Sequence, residues 1–229
     1  MRQIMFDEDA HIAKHNIEAG SCKTIQEIMA RFEDFMNASY GPEFIEEELG
    51  QPLIDWAPPI TAEAFSTALS LHPDVTIPGD LRALYTLHGT PNIEDRLVIY
   101  PAERVLVSRG PVRSARWEDA FNYAPIAFKY AKIIDETYVL VGLLDFEVRT
   151  LFLLFHRDGS GFATMMIDED ETFPDEKKSL ARKTDPSTRL SLLDGVIVLV
   201  NEFIDFRTRI SCDEFYAARP DLEYDPEAD

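Results

Sequence analysis

The chain has 229 residues, 45% hydrophobic and 11% aromatic, which is enough apolar matter for one sizeable domain or two small ones. With 42 acidic against 22 basic residues it carries a formal net charge of -20, which disfavours nucleic acid and other phosphate-rich partners and favours a basic protein partner. A mean hydropathy of -0.17, and no apolar run near the roughly 20 residues that span a bilayer, exclude a membrane span from this reading.

The acidity is uneven. Residues 1–60 hold 12 acids and 4 bases, 61–160 hold 13 and 10, and 161–229 hold 17 and 8. The opening MRQIMFDEDAHIAK has acids where an export signal needs a basic start and an apolar core, so a cytoplasmic protein is expected. Cys22 and Cys212 are too few for a disulfide scaffold and lack metal-ligand spacing, so reduced thiols are expected.

In chain order, TIQEIMARFEDFMNASY places Ile25, Ile28, Met29, Phe32 and Met36 on one helical face, with Thr24 and Glu27 spaced as a capping box and Gly41-Pro42 as the stop. A short acidic helix in PEFIEEELGQP is expected next, then a boundary near residue 58 at the Pro-rich WAPPI. ITAEAFSTALSLHPDV predicts a helix capped by Thr61, with Phe65, Ala68 and Leu69 as its buried face and Pro73 as its end. TIPGDLRALYTLHGTP predicts another. Pro78 suits its first turn, Asp80 favours the helix dipole, and Leu81, Leu84, Tyr85 and His88 repeat as one face before Gly89.

The period then becomes extended. Strands are predicted at 96–100, 104–108, 124–131, 137–144, 149–155 and 161–167, with Asp158-Gly159 marking a hairpin. Several are apolar on both faces, which calls for helices covering the sheet. Residues 168–189 are polar and Pro-punctuated and read as a long exposed loop. A last helix puts Leu193, Val196, Ile197, Val200, Phe203 and Ile204 on one face despite Gly195, and an acidic tail closes the chain. The expected class is α+β: a mostly antiparallel sheet of five or six strands packed with helices. An N-terminal helical extension over residues 1–58 precedes a domain over 59–210, and the tail covers 211–229.

No catalytic constellation emerges. His11 and His15 have the i, i+4 spacing of metal-binding helices but no third ligand, and read as surface residues. His88 reads as half-buried and hydrogen-bonded, and His156 as a turn residue able to pair with Asp158. There is no GxSxG elbow, phosphate loop or GxGxxG. Accordingly no catalytic, cofactor-binding or metal-binding residue is predicted, and the chain is not expected to be an enzyme. The features left to explain are the acidic clusters Glu46, Glu47, Glu48 and Asp168, Glu169, Asp170, Glu171. Arg104, Arg109, Arg113 and Arg116, beside Trp117, form the one contrary patch.

The segment ITAEAFSTALSLHPDVTIPGDLRALYTLHGT resembles the N-terminal core of the SUKH superfamily, whose second helix has the form LPxxLRxLYxLHNG. Ile77, Pro78, Asp80, Leu81, Leu84, Tyr85, Leu87, His88 and Gly89 match it. APIAFKYA is similar to the family's following strand, and SLLDGVIVLVNEFI to its C-terminal helix, so the resemblance covers about residues 60–206. The family's Asn after the His is missing, IIDET replaces its Gly-Asp loop, and the link to the last helix is longer. The resemblance implies a bacterial immunity protein that binds a cognate secreted toxin, often a nuclease. Asp168 to Glu171 would then be the first partner surface and Glu46 to Glu48 the second. The alternative is a nonenzymatic adaptor or regulatory scaffold of the same fold.

Overall fold

The computed structural model describes residues 7–41, 52–106, 138–146, 149–168 and 189–209. The chain divides into two compact units, Met1–Leu53 with Val196–Asp229, and Ile54–Gly195.

In the first unit, α1 (Glu8–His15) starts on the Asp7 side chain, which accepts from the Ala10 amide at 2.9 Å. Helix α2 (Ile25–Tyr40) starts as its capping residues predict, with Thr24 Oγ1 accepting from the Glu27 amide at 3.1 Å. The Glu27 carboxylate reaches back one residue further than a capping box would, to the Lys23 amide at 2.6 Å. The apolar face of α2 is buried and is wider than its spacing predicted, since Phe35 and Tyr40 join it. The last helix, named α6 (Leu192–Arg209), contributes its Val196–Arg209 portion here. Phe203 stacks on Phe32 with ring centroids 5.2 Å apart, and the Tyr40 hydroxyl donates to the Arg207 carbonyl at 2.8 Å. Asn201 clamps the linker between α1 and α2: its Oδ1 accepts from the Ile17 amide at 2.8 Å and its Nδ2 donates to the Ile17 carbonyl at 2.9 Å. Arg209 pairs with Asp205 at 2.9 Å, with Glu8 at 3.6 Å and with Asp9.

The second unit is built on a six-stranded antiparallel sheet whose spatial order is its chain order. Its strands are β1 (Ile54–Ala57), β2 (Thr90–Ile93), β3 (Leu97–Ile99), β4 (Tyr138–Asp145), β5 (Arg149–His156) and β6 (Phe162–Asp168). Strands β4 and β5 are almost wholly buried, as their unbroken apolar runs require. The Asp158-Gly159 hairpin joins β5 to β6, with Phe155 opposite Phe162. This is the α+β class expected.

The structure differs from the sequence reading in three places. Residues 104–108 were expected as a strand, but Ala102–Leu106 is a short helix, α5. Pro101 starts its turn, its carbonyl accepting from the amides of Arg104 and Val105 at 3.0 and 3.2 Å. Local turn chemistry here overrides the β-propensity of Val105 and Leu106. Strands β1 and β2 were not anticipated. Both are four residues long, and Pro91 sits within β2, where it supplies no ladder donor. The third difference lies in the segment after helix α3 (Ala62–Leu69), which Thr61 caps at 3.1 Å through the Ala64 amide. Helix α4 (Gly79–Ala83) passes into a π-turn, Leu84–His88, closed by the Gly89 amide on the Leu84 carbonyl at 2.9 Å. The extra residue in that turn leaves Leu84 and Tyr85 buried but swings Leu87 and His88 outward. His88 is therefore exposed rather than half-buried. Leu87, 69% exposed, is the one large hydrophobic side chain so placed among the described residues.

Two glycines fix how close the elements come. A Cβ on Gly89 would lie 2.1 Å from the Ala57 carbonyl oxygen, and its φ of 82° is one that side chains avoid. On Gly195, in the first turn of α6, a Cβ would lie 2.6 Å from Leu153 Cδ1, so the glycine lets the start of that helix approach β5. Its absent side chain is a packing requirement rather than the helix defect that its propensity implies. Ser191 caps the same turn, accepting from the Asp194 amide at 3.0 Å. The expected strand 124–131, the acidic helix within 42–51, the loop 169–188 and the tail lie outside the described residues.

Candidate partner-binding site

The antiparallel register places Ile54, Ile93, Leu97, Asp145, Arg149 and Asp168 at one end of the sheet. Acidic residues gather there because both turns and the final strand terminus bring them. The β2–β3 turn presents Glu94 and Asp95, β4 ends at Asp145, β6 ends at Asp168, and Asp55 lies one residue in on β1. Among the described residues the basic ones at this end are Arg96 and Arg149, and the Arg149 guanidinium lies over the Phe146 ring, 4.8 Å from its centroid.

The β2–β3 turn is built at a cost. Glu94 and Asp95 both have left-handed backbones, φ 53° and 57°, with the Arg96 amide closing the turn on the Ile93 carbonyl at 2.9 Å. Two positive-φ residues match the twist of a hairpin, but glycine and asparagine fill such positions most easily. Asn92 compensates for part of this, accepting from the Asp95 amide at 3.1 Å and donating to its carboxylate at 2.7 Å. The result is an acidic hairpin tip in which Asn92 holds the exposed Asp95 carboxylate and Glu94 is half-buried. Next to it, the Asp145 amide donates to the Arg96 carbonyl at 2.9 Å and ties β4 to the same turn.

Of the predicted partner residues, Asp168 falls at this end as the last residue of β6, opposite Arg149. Glu169, Asp170 and Glu171, which follow it directly in the chain, lie outside the described residues, as do Glu46, Glu47 and Glu48. The sequence reading missed Glu94, Asp95 and Asp145. The signal for the first two was the polar NIEDR between short apolar pieces, a turn signature if β2 is recognised as a strand. Of the contrary basic patch, Arg104 is described: it sits over the Tyr100 ring at 4.6 Å, while Arg109, Arg113 and Arg116 lie outside the described residues.

The histidines are placed differently from the sequence reading. His11 and His15 share one side of α1, with ring centroids 4.8 Å apart and both rings against Phe35 at 5.8 and 5.5 Å. They are half-buried rather than surface residues, because α1 packs this side onto α2, and His11 Nε2 lies 2.9 Å from the buried Ser39 hydroxyl. Burial, and then the Lys14 ammonium, hold the His15 imidazole below its usual range, with Asp34 acting against them. Among the described residues no group of three His, Cys, Asp or Glu is arranged to hold a metal ion. His156 is not a turn residue. It ends β5, buried, with its ring packed on Tyr138. Cys22 is buried and unbonded to another cysteine. No helix among the described residues is long and apolar enough to cross a membrane.

Comparison with protein-family models, with curated proteins and with solved structures gives no match.

Proposed function

We propose that this chain is a cytoplasmic immunity protein of the SUKH type, which binds a cognate bacterial toxin, a basic nuclease effector, and blocks it by steric and electrostatic occlusion. The observation that carries this reading is the gathering of Asp55, Glu94, Asp95, Asp145 and Asp168 at one end of the sheet, in a chain of net charge -20. A nuclease needs a cationic cleft to hold a phosphate backbone, and a rigid acidic rim is complementary to such a cleft. Complementary fields raise the association rate and reject anionic competitors. The order of a helix, a proline-containing turn, a second helix, a sheet and a C-terminal helix is also the order that the SUKH resemblance implies.

No turnover belongs to this mechanism. The strands hold the rim in place. The test is co-expression with the product of the adjacent reading frame, followed by pull-down and stopped-flow association across a range of salt. A basic partner should bind quickly at low salt and more slowly as salt screens the rim, within a Debye length of about 10 Å at 0.1 M. Reversing Asp168, Glu169, Asp170 and Glu171 to Lys should slow association and flatten its salt dependence. Unchanged kinetics would remove Asp168 to Glu171 from the interface. An adjacent product that is neither basic nor retained would favour a regulatory adaptor of the same fold.

A further inference from the structure

The opposite end of the sheet holds a cluster that the acidic rim does not use. Tyr138 and His156 are register partners on β4 and β5, so their side chains share a face, with ring centroids 4.5 Å apart. They are 0% and 3% exposed, yet among the described residues neither the Tyr138 hydroxyl nor His156 Nε2 has a hydrogen-bond partner, and nor does Nε of Arg189. A buried polar atom left unpaired costs about 1–3 kcal/mol, so three together call for an explanation.

His156 sits where three segments meet. Its amide donates to the Gly161 carbonyl at 2.9 Å, and its carbonyl accepts from the Gly159 amide at 2.8 Å, which sets the β5–β6 turn. That turn is held to the 74–76 segment by the Thr76 amide on the Arg157 carbonyl at 2.7 Å and by Arg157 on Asp74 at 2.7 Å. The third segment, Arg189–Leu190, is fastened to β6 by a reciprocal pair of backbone bonds between Phe162 and Leu190, at 3.0 and 2.9 Å. Two residues later α6 begins, with the Leu192 amide on the Asp80 carboxylate at 3.2 Å.

Among the described residues, Tyr138 from β4 packs on the imidazole, and the charged groups that act on it are Asp158 from the turn and Arg189 from the segment ahead of α6. Asp158 is 64% exposed and already engaged, accepting from the Ser160 amide at 2.9 Å and from the Ser160 hydroxyl, with Arg189 3.9 Å away. These Ser160 hydrogen bonds keep its carboxyl below the usual range, so it is ionised at neutral pH. We propose that His156 is a proton-operated latch: when neutral it lets Arg189–Leu190 close onto β6, and when protonated it sets a second cation beside Arg189 and frees that segment. Burial, then Arg189, hold the imidazole below its usual range, against the weaker opposing pull of Asp158. The neutral ring is thus the form that the closed segment favours.

The test is amide hydrogen exchange of the full chain at pH 7.5 and pH 5.0, corrected for intrinsic rates. It compares Phe162 and Leu190 with Leu153 and Leu154 in the middle of the sheet. If the open form has an ordinary histidine pKa of about 6.5 and the closed form takes up no proton, linkage raises the open fraction roughly thirty-fold over this interval. A loss of protection of about tenfold or more, confined to Phe162 and Leu190, is expected. A loss under about threefold, or one shared equally by Leu153 and Leu154, overturns the latch. His156→Phe keeps a ring on Tyr138 and should abolish the pH dependence; a variant that retains it also overturns the proposal. Should that variant fail to fold, the imidazole resonance of His156 in the unaltered chain decides. A midpoint well below 6.5 supports the latch and one at or above 6.5 refutes it, the signal being assigned by elimination with single Gln substitutions of the other four histidines, His11, His15, His72 and His88.

Discussion

The sharpest energetic prediction concerns Gly89→Ala. The added methyl would lie 2.1 Å from the Ala57 carbonyl oxygen, 0.9 Å inside the 3.0 Å that real Cβ atoms respect, and its neighbour is backbone that cannot rotate aside. Ala57 and Thr90 form the terminal pair of the β1–β2 ladder, so relief of the clash must pull that ladder apart. Overpacking of this kind costs about 1–3 kcal/mol. To this is added about 1–3 kcal/mol for holding a side-chain-bearing residue at φ 82° and ψ 177°, a region left almost entirely to glycine. The expected loss is about 2–6 kcal/mol, a large part of the roughly 5–15 kcal/mol that holds a protein folded. Melting should fall by roughly 10 °C for a chain of this length. Urea unfolding followed by circular dichroism measures it, with Gly79→Ala as the control, because a Cβ there meets nothing within 4 Å. A loss under about 1 kcal/mol for Gly89→Ala, or an equal loss for the control, would refute the argument.

Gly195→Ala should lower the denaturant midpoint by about 1 kcal/mol in stability, since overpacking against Leu153 outweighs the helix propensity that alanine adds; a gain would show that Leu153 moves away freely. Asn201→Ala strands both the amide and the carbonyl of buried Ile17 and should cost about 2 kcal/mol or more, whereas Asn201→Asp keeps the acceptor and should cost less, as urea midpoints would show. Because the folded-state pKa of His15 is lowered, the unfolded chain binds more protons near and below pH 6.5. Its contribution is therefore complete above that pH and is lost as pH falls from 6.5 towards the lower folded value. Unfolding midpoints measured from pH 7.5 to 5 should show this slope, and His15→Gln should reduce it without changing stability at pH 7.5 by the same amount.

What the sequence revealed follows the strength of each local signal. Helix α2 was legible because Ile25, Ile28, Met29, Phe32 and Met36 keep one period over about three turns, and Thr24 marks the start. Strands β4 to β6 were legible because long β-rich runs surround one Asp-Gly turn. Strands β1 and β2 were not, because four residues hold too few side chains to show a period and Pro91 argues against a strand. Helix α5 was misread because the propensity of Val105 and Leu106 was weighed above the Pro101 start. The outward turn of Leu87 and His88 had no signal, since a single π-turn shifts the phase of a helix without changing its composition. Of the candidate site, the sequence pointed to Asp168. It could not place Glu94, Asp95 and Asp145 beside it, because that grouping arises from the register of strands far apart in the chain.

The Glu94-Asp95 turn has a consequence for how this protein can be improved. An Asn-Gly pair at these positions would remove the left-handed strain of two ordinary residues, about 1–2 kcal/mol each by steric cost, and would make the hairpin more robust. The same exchange would erase two of the negative charges at the rim. Selection for thermal endurance and selection for fast capture of a cationic target therefore push this one turn in opposite directions, and a variant library sorted separately for each should diverge here first.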